Sequence, residues 1–240
     1  MIELKKISHQ YGKSHVLNDL TMQIEEQQLT CLLGSSGSGK TTILRLIAGL
    51  ETPQTGEIYM ENKLVTKNNQ IIVAPSERNL GFIFQDLALW PHFTVYKNIA
   101  FGLEERKEKS IKETVFNMLR NFGIEEHADK YPHQLSGGQK QLVAIARSLV
   151  LKPKVLLMDE PFASLDVKLK HKLLDHIHHL KESKELGYKL SIVYVTHDHK
   201  EAFEIADKVV VLNEGKIEET GTVEQIKMSK NKFVNYFLEY

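Results

Sequence analysis

The sequence predicts an α/β fold: a parallel sheet core, an N-terminal antiparallel β subdomain and an inserted all-helical subdomain. Three observations predict it. Short apolar runs at Leu29–Leu33, Val155–Met158 and Ile192–Val195 are separated by helical patterns, the alternation that builds a parallel sheet. The N-terminal stretch instead alternates apolar and polar side chains at period two, as half-buried strands do. From about residue 95 to 150 apolar residues recur at three- and four-residue intervals, the spacing of amphipathic helices.

Taken in order, Ile2, Leu4 and Ile7 mark a first strand, and Val16, Leu20, Met22 and Ile24 a second. Gly56–Met60 and Leu80–Phe84 read as further strands of the same antiparallel sheet. Leu29–Leu33 is a buried strand that runs straight into a glycine-rich loop and then a helix, Thr41–Leu50. That helix turns Ile43, Leu44, Ile47 and Ala48 inward and carries Gly49 near its end. Ile111, Val115, Met118, Leu119 and Phe122 define a helix ended by Gly123, and Leu142, Ile145, Ala146, Leu149 and Val150 define another. Strand Val155–Met158, an amphipathic helix through Leu169, Leu173, Ile177 and Leu180, and strand Ile192–Val195 follow. Lys208–Leu212 and Lys216–Thr220 end the core in β structure, and no internal repeat is visible. The chain reads as one domain, 1–240. Residues 1–94 and 151–223 form the core with its antiparallel subdomain, 95–150 the helical subdomain, and 224–240 a helical tail.

Composition narrows the function. With 42% hydrophobic and 26% charged residues in 240, the chain is an ordinary globular protein rather than a disordered one. Lys plus Arg (31) equals Asp plus Glu (31), so the chain as a whole lacks the basic footprint of a nucleic-acid binder. A single cysteine, Cys31, excludes an internal disulfide and reads as a small buried apolar residue. The N-terminus lacks a signal-peptide core and no apolar run reaches the roughly 20 residues that span a bilayer. The expectation is a cytoplasmic protein whose membrane role, if any, runs through a partner.

The loop Gly34-Ser35-Ser36-Gly37-Ser38-Gly39-Lys40-Thr41-Thr42 has the P-loop pattern between the strand and helix that the pattern requires. Its glycines let backbone N–H groups face the phosphates of a nucleotide, and the helix start adds partial positive charge. Lys40 supplies a point charge to the β- and γ-oxygens, and the Thr41 hydroxyl suits magnesium. Val155–Met158 ends in Asp159 and Glu160, a Walker B pattern. Asp159 suits magnesium, directly or through water, and Glu160 the general base that activates water. The chain lacks the Asn-Lys-x-Asp motif that reads guanine, so ATP is favoured over GTP.

A second glycine motif, Leu135-Ser136-Gly137-Gly138-Gln139, resembles the signature loop of the ATP-binding-cassette (ABC) ATPases, and the other family motifs stand in order along nearly the whole chain. The resemblance implies a P-loop NTPase core with a RecA-like sheet. It also implies that Tyr11 stacks on adenine, that Gln85 senses magnesium and the attacking water, and that His197 contacts the γ-phosphate. Ser164-Leu165-Asp166 resembles the D-loop. In such ATPases Ser136, Gly137, Gly138, Gln139 and Asp166 would act in trans on ATP held by the P-loop of a second copy. The family further implies transmembrane permease subunits, and here a solute-binding protein, with Leu87–Phe93 at the permease groove. The other reading of Trp90 and Phe93 is packing within the helical subdomain.

The stretch around Trp90 and Pro161–Asp166 is most similar to importer ATPases for ferric iron, sulfate, polyamines, thiamine and sugars. The expected function is therefore ATP hydrolysis coupled to solute import on the cytoplasmic face of a membrane. The alternative is an ABC switch in an envelope complex that moves no solute. Two positions depart from the family: Leu142 stands where a basic residue is usual, and Ala163-Ser164 where serine then alanine is commoner. His171, His176, His178 and His179 read as a solvated helix face, His199 as a surface residue and His133 as a structural one.

Overall fold

The period-two segments at the N-terminus form an antiparallel sheet in the structure, a computed structural model that describes residues 1–163, 165, 167–182 and 189–239, with backbone only for residues 176 and 178–182. β1 (Ile2–Tyr11) and β2 (Ser14–Ile24) pair from Ile2↔Ile24 to Tyr11↔Ser14. β4 (Thr55–Met60), β5 (Lys63–Lys67) and β6 (Gln70–Ile71) extend the sheet in the order β2-β1-β4-β5-β6. The second sheet contains β3 (Leu29–Gly34), β7 (Leu80–Ile83), β8 (Val155–Asp159), β9 (Ser191–Thr196), β10 (Lys208–Asn213) and β11 (Lys216–Gly221), in the order β11-β10-β3-β9-β8-β7. Its neighbours are parallel except β11, which runs antiparallel to β10 at one edge. β3, β8 and β9 are buried at every position, which is why apolar residues dominate their sequences without alternating.

One expectation is corrected. Leu80–Phe84 read as a strand of the antiparallel sheet, but β7 pairs parallel with β8, from Leu80↔Val155 to Ile83↔Met158. β7 is the edge strand of its sheet, and its residues alternate between half-buried and buried. An edge strand gives period-two patterning whichever way its neighbour runs, so the pattern could not report direction.

The two faces of the parallel sheet feed separate cores. Leu32, Leu157, Val193, Val195 and Val210 face α1 (Lys40–Ala48) and the inner side of the antiparallel sheet, with Leu4, Ile7, Leu17 and Ile58. Cys31, Leu33, Leu156, Met158, Ile192 and Tyr194 face α2 (Val95–Glu105), α3 (Ile111–Asn121), α4 (Gly137–Leu149) and α5 (Val167–Glu182). The helices of 95–150 thus share one apolar cluster with the sheet. Burial pushes the Cys31 thiol up, as expected of an inert core residue. α1 ends at Gly49, left-handed at φ +74, where Gly49 and Leu50 N–H groups donate to the Leu46 and Arg45 carbonyls. α6 (His199–Ile205) follows β9. The tail consists of α7 (Val223–Lys227) and α8 (Lys232–Glu239).

Arg78 joins these layers. It is buried and donates to the carbonyls of Leu46 and Ile47 at the end of α1, to Val65 O and Thr66 Oγ1 of β5, and to Val73 O. Burial lowers its pKa to about 10, which leaves it charged at neutral pH. Arg78→Met would leave several of these buried acceptors unpaired, so the expected loss is about 3 kcal/mol or more. Urea unfolding checks this: the midpoint should fall clearly with an unchanged slope, and an unchanged midpoint would remove Arg78 from this role.

Candidate active site

Parallel pairing brings four strand ends to one edge. Leu33 pairs with Thr196, Asp159 with Val195 and Ile83 with Met158. The loop from Gly34, the Asp159-Glu160 pair, His197 and Gln85 therefore emerge side by side, at the carboxyl ends where open α/β sheets bind ligands.

The Gly34–Thr42 loop needs its glycines. A Cβ on Gly34 would lie 2.2 Å from Leu212 O, and one on Gly39, at φ +99, would lie 2.6 Å from Leu17 Cδ2. Gly39 precedes α1 without a side-chain cap, so the first N–H groups of that helix are not taken by a capping side chain. Lys40 is buried and curls back, donating from Nζ to Gly34 O (2.8 Å) and Ser35 O (2.7 Å). Among the described residues two of its three N–H bonds are thereby used, which leaves one for an anion. Burial lowers its pKa, while Glu160 and Asp159 act in the opposite sense. The Ser38 hydroxyl is buried and has no hydrogen-bond partner among the described residues. These features fit a phosphate cradle.

Thr41 Oγ1 donates to Asp159 Oδ1 at 2.8 Å, joining the start of α1 to the end of β8. Burial raises the Asp159 pKa, Glu160 adds to that, and the Thr41 bond opposes it. Thr41, Asp159 and Gln85 line one cleft of about 600 Å³ with Arg45, Phe84, Asp86 and Ala163. A hydroxyl, a carboxylate and an amide are the oxygen donors that a hard divalent cation takes, so the set fits magnesium. Glu160 has a left-handed backbone, φ +42, held by its N–H donating to Val195 O (3.1 Å). Its Oε2 lies 3.1 Å from His197 Nδ1. Tyr11 is 45% exposed, with its hydroxyl donating to Glu51, which also pairs with Arg45. Its ring and that of His9 stand at 81° to each other, with centroids 4.7 Å apart.

Ser136, Gly137, Gly138 and Gln139 are held elsewhere. Ser136 caps α4 reciprocally: its Oγ accepts from Gln139 N–H (3.4 Å) and its N–H donates to Gln139 Oε1 (2.9 Å). A Cβ on Gly138 would lie 2.6 Å from Leu169 Cδ2, so this glycine also lets α4 approach α5. Hydrogen bonds seen for these four residues run within α4 and to His127, none to the Gly34–Thr42 loop. Asp166 and Ser164 lie outside the described residues. Leu142 turns half-buried onto the core instead of meeting solvent.

Sequence reasoning missed Arg147, Glu201 and His127. Arg147 donates to the carbonyls of Leu87 (2.7 Å) and Ala88 (2.6 Å), both left-handed, and lies 5.0 Å from the Trp90 ring centroid. Trp90 and Phe93 are half-buried against Phe101, between the two readings given for them. Buried Glu201 accepts from Tyr194 Oη (2.9 Å) and Thr196 Oγ1 (2.7 Å), fixing the strand end before His197. No spacing rule marks a lone charged residue on a helix as buried. His171 pairs with Glu204, His133 is exposed beside Tyr131, and the side chains of His176, His178 and His179 lie outside the description.

The family model described as ABC transporter matches residues 17–163. A probable sulfate/thiosulfate import ATP-binding protein CysA of Chlorella vulgaris is 43% identical over 99% of this chain and 98% of its own length. The sulfate/thiosulfate import ATP-binding protein CysA of Pseudomonas syringae is 42% identical over 99% of this chain and 72% of its own. Among solved structures, the dimeric post-hydrolysis state of the ATP-binding cassette MJ0796, bound to ADP and Pi, superposes with a TM-score of 0.79 at 30% identity, covering 93% of this chain and 99% of that one.

Asp159 makes a testable trade of stability for function. Its pKa is raised on folding, so its contribution to stability is present below the carboxylate range and lost as pH rises through the folded pKa. Asp159→Asn keeps an acceptor for Thr41 and removes the buried charge. At pH 7 without nucleotide it should raise the melting temperature by roughly 2–4 °C, about 1 kcal/mol for a domain of this size, and the gain should shrink toward pH 4. A lower melting temperature at pH 7 would show that the charge is already compensated.

Proposed function

The chain belongs to the ABC transporter ATPases, and from that premise we propose that it is the energy-coupling subunit of an importer for sulfate or a related oxyanion. It hydrolyses ATP as a homodimer seated on membrane permease subunits, at the cytoplasmic face and with a solute-binding protein in the complex. The observation that carries the chemistry is Glu160 held against His197, one residue beyond the Thr41–Asp159 bond.

Bound ATP would lie with adenine on Tyr11 and its phosphates in the Gly34–Thr42 loop, against the open helix start and Lys40. Thr41 and Asp159, with Gln85 at the same cleft, would hold magnesium, which neutralises the β- and γ-oxygens. Glu160 takes a proton from the attacking water as its oxygen bonds to the γ-phosphorus. The bond from that phosphorus to the β–γ bridging oxygen breaks, leaving ADP and phosphate. His197 holds the Glu160 carboxylate through one ring nitrogen and faces the γ-phosphate with the other. Ser136, Gly137, Gly138, Gln139 and Asp166 of the second copy close the site. In support, the first four make no bond seen to their own phosphate loop, and the solved neighbour is dimeric.

Residues 95–150 then act as the helical subdomain that presents the signature loop, residues 1–94 and 151–223 as the nucleotide core, and 224–240 as its tail. The segment Leu87–Phe93, braced by Arg147, receives the permease. Oxyanion import is favoured because relatives named for sulfate/thiosulfate import match 99% of the chain.

Glu160→Gln should lower turnover by a factor of about 10²–10⁴ while ATP still binds, and should trap an ATP-bound dimer on size exclusion. Turnover near the wild-type rate would remove Glu160 as the base. Membrane vesicles containing the chain and its permease should accumulate labelled sulfate or thiosulfate only with ATP. Uptake of neither, with ATPase activity intact, would overturn the solute class alone.

A further inference from the structure

Behind the signature loop stands a buried histidine that the reaction above does not use. Gln139 gives its side-chain oxygen to Ser136 N–H at 2.9 Å, which fixes which end of the amide is which. The amide nitrogen then meets His127 Nε2 at 2.7 Å. An amide NH₂ only donates, so His127 Nε2 accepts, and the ring is neutral with its proton on Nδ1. That Nδ1 is buried and has no hydrogen-bond partner among the described residues, in a residue only 7% exposed. Glu126 Oε1 lies 3.5 Å from the same Nε2, but two acceptors form no bond, and the Glu126 side chain is 80% exposed.

An apolar side chain at 127 would fill this place, between the turn Glu125–His127 and the start of α4, with no orphaned N–H. Among the described residues the ring's hydrogen bond goes to Gln139, and Gln139 in turn holds the Ser136 backbone. We propose that His127 is a positioning residue: by fixing the Gln139 amide it sets the Ser136 cap, and so aims the signature loop at ATP carried by a second copy. This rests on the reading that the signature loop acts in trans.

The test compares His127→Leu, which removes the acceptor, with His127→Gln, whose side-chain oxygen can stand in for Nε2. His127→Phe, which keeps the ring shape, replaces the leucine variant if that one does not fold. ATP affinity of the monomer should stay within about twofold of wild type in each. Turnover of His127→Leu should fall about tenfold, with a higher protein concentration for half-maximal rate, and His127→Gln should return to within about threefold of wild type. In a Gln139→Met background His127→Leu should add no further loss. Wild-type turnover in His127→Leu, or equal impairment of the Leu and Gln variants, would overturn the role. Ser136→Arg separates the two levels. If it leaves turnover intact, the trans reading itself fails; if it blocks turnover while His127→Leu does not, only the role of His127 fails.

Discussion

Every other part of the site depends on the parallel ladder through β3, β9, β8 and β7. Each proposed site segment starts at or within two residues of a paired position: the glycine loop at Gly34 after Leu33, His197 after Thr196, Glu160 after Asp159 and Gln85 after Ile83. A slip of one residue would separate the Thr41 hydroxyl from Asp159 and turn each strand's side chains to the opposite face. The register is held because both faces are packed: Cys31 and Leu33 belong to the helical core while Leu32 faces α1. The geometry of the candidate site's edge is thus set by apolar packing some distance behind it.

The edge itself is where the fold accepts unfavourable terms. Lys40 and Asp159 are buried charges whose pKa values move against ionisation, and Glu160 is a non-glycine residue in a left-handed conformation. These are tolerable because the surrounding structure is over-determined. Glu160 N–H is tied to Val195 O, Thr196 to Glu201, and the layers beneath to Arg78. A polyanion with its cation would relieve the same terms, since Lys40 would gain a phosphate partner and Asp159 a positive one. On that reading, ligand binding and stability would be coupled through the same two side chains.

Much of this was legible in the sequence because glycine loops and paired carboxylates after apolar strands have few structural alternatives. Leu29–Leu33 and Val155–Met158 read directly as buried strands because burial on both faces removes alternation. Leu80–Ile83 misled because alternation reports exposure and says nothing about the direction of the neighbouring strand. β5 and β6 gave no signal: one is short with charged ends, the other has two residues. Arg78, Arg147 and His127 escaped for a different reason. Each bonds mainly to backbone or to a single distant amide, and no spacing along the chain encodes such a partner.

The two helix starts that a nucleotide would bridge are prepared in opposite ways. α1 begins at Gly39 without a capping side chain, so its N–H groups are left for an anion. α4 begins at Ser136 with a reciprocal cap whose two bonds are unequal. Gln139 Oε1 accepts from Ser136 N–H at 2.9 Å, whereas Ser136 Oγ accepts from Gln139 N–H at 3.4 Å. The longer bond is the weaker, so the serine hydroxyl and the N–H it covers are the easier pair to release to a phosphate. The shorter bond, backed by His127, can persist while they are released. One end is thus open to ligand in the isolated chain. The other, on the in-trans reading proposed above, would hold its shape through Gln139 until a nucleotide on another copy competed for the serine.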